Sequence, residues 1–333
     1  MNKTCLGCGI TLQDNNLLDE GYTTSLDNEF CMRCFKMRNY GEYEFVARSN
    51  EEYDNVLKKI SKTDSLVLYI VDILTIPEDL NDLQRVLKKN KIMLIINKRD
   101  VLPMGINDLK IIKYFKDTYP YFIDVILISS YKNYNLDHLM KLITKYKTND
   151  IVYVVGNTNA GKSTLINKII DNYGVEEPKL TISPMPGTTL KEIVIPMKNY
   201  NLIDTPGFIV KGNIINNIPN DLIKKISVHK EIKPKSYQLR NGEALVIGDI
   251  LRIDYLEGER NSFTFFVSND LPIKKIYSKR NKTLCDEASR DFVLEYHKDI
   301  VIVGLGFIRT ILPGHIRVYI NKDVYVFVRR SII

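Results

Sequence analysis

The chain has 333 residues, of which 44% are hydrophobic and 26% are charged. This length predicts two or three domains, and the composition is typical of a soluble globular protein. No apolar run approaches the roughly twenty residues that cross a bilayer, and the first ten residues lack a secretory or organelle-targeting pattern. We therefore expect a cytoplasmic protein without a membrane partner.

The net charge of +7 is concentrated in the last third of the chain. Residues 211–333 contain 21 basic and 14 acidic side chains. A concentrated basic surplus suggests a polyanionic partner, and nucleic acid is the most plausible one. A well-solvated surface without such a partner explains the same charge equally well.

Two CxxC pairs lie within the first fifty residues and are separated by 22 residues. The cysteines are Cys5, Cys8, Cys31 and Cys34. Two residues between paired cysteines let both sulfurs face one ion, and two such pairs form the tetrahedral S₄ site that suits a structural Zn²⁺. Disulfides are the competing use of these thiols, and the lack of a secretory signal argues against them. Cys285 lies outside both pairs and is expected to be a small core residue.

A GxxxxGK[ST] pattern lies between a predicted strand, Ile151 to Val155, and a predicted helix, Thr164 to Ile170. The loop consists of Gly156, Asn157, Thr158, Asn159, Ala160, Gly161, Lys162 and Ser163, and Thr164 follows it as a further binding candidate. The glycines let backbone N–H groups turn toward phosphates, Lys162 reaches the β/γ oxygens, and Ser163 offers a hydroxyl to Mg²⁺. The pattern predicts a nucleoside triphosphate site, against the alternative of a glycine-rich turn.

The sequence Asn97-Lys98-Arg99-Asp100 follows an apolar strand predicted at Ile92 to Ile96. An Asp at the fourth position accepts from guanine N1–H and from the exocyclic amine at once, a pair of donors that adenine lacks. Asn97 and Lys98 are expected to brace the loop and the base. Alone, this tetrapeptide is a common solvated turn, but beside a phosphate loop it predicts guanine nucleotides, GTP and GDP.

Two further segments complete the predicted nucleotide site. Ser129 and Ser130 follow a strand predicted at 123–128, where their amides are placed to contact the guanine carbonyl, although this signal is weak. Asp204-Thr205-Pro206-Gly207 follows a strand predicted at 201–203, so that Asp204 holds Mg²⁺ through water and the Gly207 amide senses the γ-phosphate. Thr189 of Pro186-Gly187-Thr188-Thr189 is the expected last Mg²⁺ ligand, with Thr188 as the alternative.

The remaining elements are predicted from apolar periodicity. The predicted strands are 65–71, 193–195, 244–247, 262–267, 300–303 and 324–328, and the predicted helices are 80–89, 109–115, 136–146 and 286–296. Lysines in the last third lie among Tyr237, Tyr255, Phe263 and Tyr277. These aromatic residues are candidates for stacking on unpaired bases, although aromatic residues in β-rich sequence more often form the core.

The order of the motifs differs from that of small GTPases, in which the phosphate loop comes first. Here the NKRD segment precedes the phosphate loop by about sixty residues, so the domain is circularly permuted. In the usual numbering, the chain runs through strands four, five and six and then one, two and three. The predicted organisation is a zinc module at 1–50, a permuted GTPase domain at 51–212 and a basic domain at 213–333.

A CxxC/CxxC module followed by NKRD, GNTNAGKS, PGTT and DTPG resembles the YqeH family of circularly permuted GTPases over essentially the whole chain. The resemblance implies an α/β P-loop domain with a mostly parallel sheet and helices on both faces, and a β-rich α+β carboxyl-terminal domain. It also implies GTP hydrolysis coupled to small ribosomal subunit assembly, with ribosomal RNA rather than DNA as the partner of an expected monomer. Ser129-Ser130-Tyr131 departs from the more frequent Ser-Ala pattern at the guanine loop.

Phe208 follows DTPG at the position where many GTPases place a water-orienting glutamine, which a phenyl ring cannot replace. In related permuted GTPases this goes with slow hydrolysis, and an asparagine at the position of Asn159 goes with potassium binding. The catalytic candidates are therefore Lys162, Asn159, Thr189 and Gly207. The competing hypothesis is an RNA-binding scaffold that scarcely hydrolyses GTP. A GTPase of RNA modification or of membranes lacks a supporting cysteine motif or apolar anchor here.

Overall fold

The structure is a computed structural model, and it describes residues 3–5, 10–16, 19, 21–32, 34–35, 50–174, 193–208, 210–278 and 288–333. The chain divides into two compact units. The first comprises Met1–Asp72, Asp79–Arg99 and Phe115–Ile209, and the second comprises Ile73–Glu78, Asp100–Tyr114 and Val210–Ile333.

The helices α1 to α6 and the strands β1 to β16 are numbered in chain order. The helices span Asn50–Ile60, Asn81–Val86, Asp108–Thr118, Leu136–Tyr146, Lys162–Tyr173 and Asn220–Ile226. Strands β1 to β6 span Leu66–Asp72, Ile92–Asn97, Phe122–Leu127, Ile151–Gly156, Ile193–Met197 and Tyr200–Asp204. Strands β7 to β16 span Lys235–Leu239, Glu243–Ile247, Leu251–Gly258, Asn261–Phe266, Ile273–Tyr277, Ser289–Leu294, Lys298–Ile302, Gly306–Thr310, Gly314–Tyr319 and Val326–Arg330.

The first unit contains a six-stranded sheet in the order β3-β2-β1-β4-β6-β5. All neighbouring strands are parallel except β5, which pairs with β6 in the antiparallel sense. In the usual numbering this order is six, five, four, one, three, two. The predicted circular permutation is therefore confirmed, because the first three strands along the chain form one half of the sheet.

Both faces of this sheet are covered, which explains why its strands are continuous apolar runs. Leu66, Leu68 and Ile70 of β1 pack in one cluster with side chains of α4 and α5. Val67 and Val71, which point to the other face because successive side chains alternate, are equally buried at 0% exposure. Strands β2 and β3 extend the sheet on one side of β1, whereas β6 and β5 extend it on the other side of β4. The strand order thus reverses between β1 and β4, and ligands of such sheets bind at the point of reversal.

The second unit is built mainly from two five-stranded antiparallel sheets, ordered β16-β13-β14-β10-β7 and β11-β8-β9-β15-β12. Alternate side chains of both sheets form one apolar cluster that contains Leu245, Ile253, Phe265, Ile308 and Ile316. This confirms the predicted β-rich carboxyl-terminal region.

One predicted element in this region is wrong. The segment 286–296 is not a helix, since Ser289–Leu294 is a strand that pairs with β15. The cross-strand ion pair between Arg317 and Asp291, at 2.6 Å, lies on this ladder. The first two residues of the predicted helix lie outside the described residues.

Several predicted elements differ in length, and some strands were not predicted. The helix expected at 80–89 spans only Asn81–Val86. Strands β7, β9, β11, β14 and β15 were missed. Of the aromatic residues considered for base stacking, Tyr255 and Phe263 are fully buried in the core, whereas Tyr277 is 62% exposed. None of the helices in the described part of the chain combines the length and the apolar character that a membrane crossing requires.

Candidate nucleotide and metal sites

The phosphate loop leaves the central strand β4 and enters α5, as its sequence predicts. Gly161 has φ 89° and Asn159 has φ 64°, so both adopt the left-handed conformation that glycine and asparagine tolerate best. A Cβ on Gly161 would lie 2.3 Å from the Asn97 side-chain nitrogen, and a Cβ on Gly156 would lie 2.3 Å from the Ile70 carbonyl oxygen. Both glycines of the GxxxxGK[ST] pattern are therefore required by close approach, Gly161 to β2 and Gly156 to β1.

The Asn97 side chain joins the phosphate loop to the loop that carries Ser129 and Ser130. Its Nδ2 donates to the Ala160 carbonyl oxygen at 2.9 Å. Its Oδ1 accepts from the Ser130 N–H at 3.1 Å and from the Ser130 hydroxyl at 2.9 Å. Because Asn97 is only 2% exposed, these bonds are shielded from water and fix three predicted nucleotide-binding segments in one arrangement.

Lys98 adopts an unusual backbone conformation beside this junction. Its φ of 65° is left-handed, a conformation that is uncommon for a lysine and that tends to cluster at functional sites. Its ammonium contacts Asp72 Oδ2 at 2.6 Å. Asp72 was not predicted as a site residue, although its position opposite Asn97 at the carboxyl ends of neighbouring parallel strands could have indicated it. Asp100 lies in the 3₁₀ turn Arg99–Val101, which Lys98 separates from the end of β2.

The DTPG segment follows β6 and lies against the phosphate loop. Asp204 is 1% exposed and pairs in register with Val154 of β4. A Cβ on Gly207 would approach Lys162 Nζ to 2.9 Å and the Thr158 nitrogen to 3.3 Å, so a side chain at this position would crowd the loop. The Thr158 N–H donates to the Phe208 carbonyl oxygen at 2.9 Å, which ties the end of the motif to the loop.

Lys162 and Ser163 are buried polar residues at the start of α5, with 7% and 8% exposure. Burial lowers the pKa of the Lys162 ammonium, and the Asp204 carboxylate opposes this effect. A desolvated ammonium above a helix amino terminus is stabilised by an anion, so the arrangement fits a phosphate group. Thr189 and Thr188 lie outside the described residues.

Three of the four predicted zinc ligands come together in the amino-terminal part of the chain. The sulfurs of Cys5, Cys31 and Cys34 lie within 4.8 Å of one another, and these residues are at most 2% exposed. The Cys31 N–H donates to the Cys5 sulfur at 3.2 Å, and Leu12 packs against the cluster. Cys8 lies outside the described residues. A buried cluster of thiols in this arrangement fits a thiolate-bound metal ion.

Comparison with known proteins agrees with this geometry. Residues 151–247 match the family described as 50S ribosome-binding GTPase. The match begins at β4, the strand with which a GTPase domain of the usual order starts. The protein YqeH of Bacillus subtilis is 34% identical over 362 aligned residues, which cover 99% of each chain.

Two eukaryotic relatives are more distant. The chloroplastic GTP-binding protein brassinazole insensitive pale green 2 of Arabidopsis thaliana is 27% identical over 68% of this chain, and human nitric oxide-associated protein 1 is 26% identical over 59% of it. The matched regions span 40% and 36% of those longer relatives. The permuted strand order, the nucleotide motifs held together by Asn97 and the end-to-end match to YqeH lead to one conclusion: the chain belongs to the YqeH family of circularly permuted GTPases.

Proposed function

We propose that this GTPase is a slow, Mg²⁺-dependent switch that binds ribosomal RNA and assists assembly of the small ribosomal subunit in the cytoplasm. The observation that carries the nucleotide part is the Asn97 side chain, which joins the predicted phosphate and guanine loops through buried hydrogen bonds. The ribosomal part rests on the resemblance to the YqeH family, and the matched family's description also refers to a ribosome, although to its 50S subunit.

The proposed Mg²⁺ ligands supply the oxygen atoms that this ion prefers. Ser163 and Asp204 are buried polar residues, and Thr189 is proposed to complete the set. When bound, Mg²⁺ neutralises charge on the phosphates. Lys162 binds the β/γ oxygens, and the Gly207 amide donates to the γ-phosphate. Guanine is bound by Asn97, Lys98 and Asp100. The backbone amides of Ser129 and Ser130 contact the guanine carbonyl oxygen.

A structural Zn²⁺ is proposed for Cys5, Cys8, Cys31 and Cys34. Four thiolates leave no open coordination position, so the ion would hold the amino-terminal module together without taking part in hydrolysis. We further propose that the chain acts as three functional parts, with zinc in 1–50, GTP in 51–212 and RNA in 213–333.

Strand β11 is the part of the second unit that we propose as an RNA-binding surface. It is an edge strand, and Lys274, Lys275 and Tyr277 on it are exposed. Lys275 also pairs with Glu243 at 2.7 Å, so Lys274 is the more available charge. Lys274 lies on the opposite strand face from Tyr277, so the two side chains offer separate contacts: the lysine suits a phosphate, and the exposed tyrosine ring suits a base of single-stranded RNA.

Phe208 favours the alternative function of an RNA-binding scaffold that scarcely hydrolyses GTP. Its ring packs against Tyr53 rather than offering a group that orients water. Single-turnover hydrolysis of radiolabelled GTP distinguishes the two functions. A switch protein converts bound GTP in minutes, with Mg²⁺ present and not with a chelator, whereas a scaffold retains it.

Co-sedimentation with purified ribosomal subunits tests the ribosomal part of the proposal. The full chain is mixed with 30S or 50S particles in GDP or in a non-hydrolysable GTP analogue at one salt concentration. We expect binding to 30S particles that is stronger with the analogue. Selective binding to 50S particles would overturn the subunit assignment, and equal recovery without particles would overturn the ribosomal role.

A direct RNA-binding measurement tests the proposed surface on β11. Lys274→Ala should reduce the slope of log affinity against log salt by about 0.7 if one phosphate of a single strand is lost. Lys62→Ala, which removes a lysine from the first unit, is the matched control and should leave the slope unchanged. Equal slopes in both variants would exclude Lys274 as an RNA contact.

A further inference from the structure

A buried hydrogen bond within the second unit holds the turn that carries Asp100. The carbonyl oxygen of Val101, the residue after Asp100, accepts from the Ile232 N–H at 2.8 Å. Val101 and Ile232 are 3% and 2% exposed. Leaving a buried carbonyl without a donor costs free energy, so the folded protein favours the arrangement in which this bond is made. The bond therefore restrains the carboxyl end of the 3₁₀ turn.

The side chain of Asn269 fixes the segment that provides this donor. Asn269 Oδ1 accepts from the Lys233 N–H at 2.8 Å, and its Nδ2 donates to the Glu231 carbonyl oxygen at 2.9 Å. One amide side chain thus binds the main chain on both sides of Ile232. Asn269 lies in the turn between β10 and β11, and its carbonyl oxygen accepts from the Lys235 ammonium at 3.3 Å.

We propose that Asn269 is a positioning residue for guanine recognition. It holds residues 231–233 so that Ile232 restrains Val101, and Val101 in turn sets the orientation of Asp100. The proposal rests on the proposed role of Asp100 as the acceptor for guanine N1–H and the exocyclic amine. A carboxylate that accepts from two donors at once depends strongly on orientation, so a looser turn loses discrimination between bases. The carboxyl-terminal region would then contribute to nucleotide specificity, although it carries none of the nucleotide motifs.

The test measures affinities of the full-length protein for GDP and for IDP, whose base lacks the exocyclic amine. Asn269→Ala should lower the GDP:IDP affinity ratio by about two- to tenfold, the effect of weakening one hydrogen bond. Asn269→Asp keeps the acceptor for Lys233 and loses the donor to Glu231, so its ratio should fall less. A merely structural role would lower the folded fraction and leave the ratio of the folded protein unchanged.

Asn261→Ala is the matched control. Asn261 also binds main chain through both ends of its amide, donating to the Leu312 carbonyl oxygen at 2.7 Å and accepting from the Leu312 N–H at 3.0 Å. Its amide bonds main chain of Ser262, Ile311 and Leu312 rather than of residues 231–233, and it lies at the start of β10. This variant should keep the parent ratio. A fall equal to that of Asn269→Ala would overturn the proposal, because any loosening of the unit would then have the same effect.

Asp100→Asn separates failure of this proposal from failure of the site assignment. It should weaken GDP and favour xanthosine diphosphate, because the amide presents a donor in place of one acceptor. If this variant changes the base preference and Asn269→Ala does not, the role of Asn269 is wrong. If neither variant changes it, the role of Asp100 is wrong.

Hydrogen exchange supplies a second measurement. The Ile232 amide should exchange faster in Asn269→Ala than in the parent, and equal exchange would also contradict the proposal.

Discussion

The ring of Phe208 packs against the ring of Tyr53, with the centroids 4.3 Å apart and the planes inclined by 35°. The ring of Tyr69 in β1 also lies near Phe208, with the two ring centroids 6.5 Å apart. The main chain of Phe208 meanwhile bonds to the phosphate loop, because its carbonyl accepts from Thr158 and its N–H donates to Gly156. The residue after the DTPG motif therefore links α1 to the phosphate loop.

Replacing Phe208 tests whether this residue has a packing role rather than a chemical one. Phe208→Gln should lower the free energy of unfolding by about 1–3 kcal/mol, since a partly buried ring is lost and a polar amide takes its place. It should not raise kcat, because the side chain at this position faces Tyr53 and Tyr69. Denaturant unfolding and GTP turnover measure the two effects.

Phe208→Leu is the control for apolar contact and should retain more stability than Phe208→Gln. An increase in kcat of tenfold or more in Phe208→Gln would contradict this account, since the glutamine would then reach the attacking water.

Asn97→Ala should weaken nucleotide binding. The substitution leaves the Ala160 carbonyl and the Ser130 N–H without their buried partner. We expect the free energy of GDP binding to weaken by about 1–3 kcal/mol, which lowers the affinity by roughly five- to 150-fold, and calorimetric titration measures it.

Asn90→Ala is the control for the loss of a partly buried asparagine whose side chain binds main chain. Asn90 precedes β2, whereas Asn97 ends it. The Nδ2 of Asn90 donates to the Thr63 and Ser65 carbonyl oxygens at 3.1 and 3.0 Å. This variant should lose stability and keep the parent affinity for GDP. Equal losses of affinity in the two variants would mean that Asn97 acts through stability alone.

The architecture of the first unit could be predicted because its signals are local. A parallel strand covered on both faces is a continuous apolar run, and the runs of β2, β4 and β6 are each followed by a recognisable motif. The helix predicted from Leu136 to Tyr146 has those bounds in the structure. The motif order then determined the permuted strand order.

The failures have a different origin, because they depend on contacts between distant residues. Residues 289–294 form a strand because β15 pairs with them, and their own sequence does not exclude a helix. The bond from Asn97 to Ala160 joins residues 63 positions apart, and the bonds of Asn269 span 36 and 38 positions. A side-chain amide that binds main chain carries no periodic signal, so such links become visible only in the folded chain.

Potassium should stimulate hydrolysis if Asn159 helps to place a monovalent cation where charge develops in the transition state. Asn159→Gly removes the side chain and tolerates the backbone φ of 64° without strain. In the parent, turnover in KCl should exceed turnover in NaCl by about tenfold or more, because the potassium ion would stabilise charge in the transition state. In the variant, the rates in the two salts should converge. Asn133→Gly, at another left-handed asparagine with φ 56°, should respond like the parent. Equal parental rates in the two salts would exclude a potassium site.

Nucleotide affinity should depend on pH through Lys162, because burial lowers the pKa of its ammonium below the ordinary 10.5. Between the lowered pKa and 10.5, the unfolded chain binds more protons than the folded one, so the nucleotide-free protein becomes more stable as pH rises through this window. Phosphate binding requires the ammonium, so GDP affinity should fall and proton uptake should appear over the same window. Titration in two buffers of different ionisation enthalpy measures the uptake. Lys162→Arg, which remains charged, should show neither effect, and the same uptake in that variant would assign it to another group.

Zinc should be required for the amino-terminal module, because the described residues of this module place only a small apolar group, Leu12, Ile10 and Phe30, against the cysteine cluster. Such a small apolar cluster does not supply the free energy that folding needs, whereas four thiolates on a metal ion do. Freshly prepared reduced protein should contain about one zinc per chain. Cys34→Ser and Cys8→Ser should each lower the zinc content below half an equivalent, and Cys285→Ser is the control that should retain it.

A chelator should also accelerate hydrogen exchange at the Cys31 amide, which donates to the Cys5 sulfur. A metal-free module with slow exchange at that amide would show that the thiols fold without zinc.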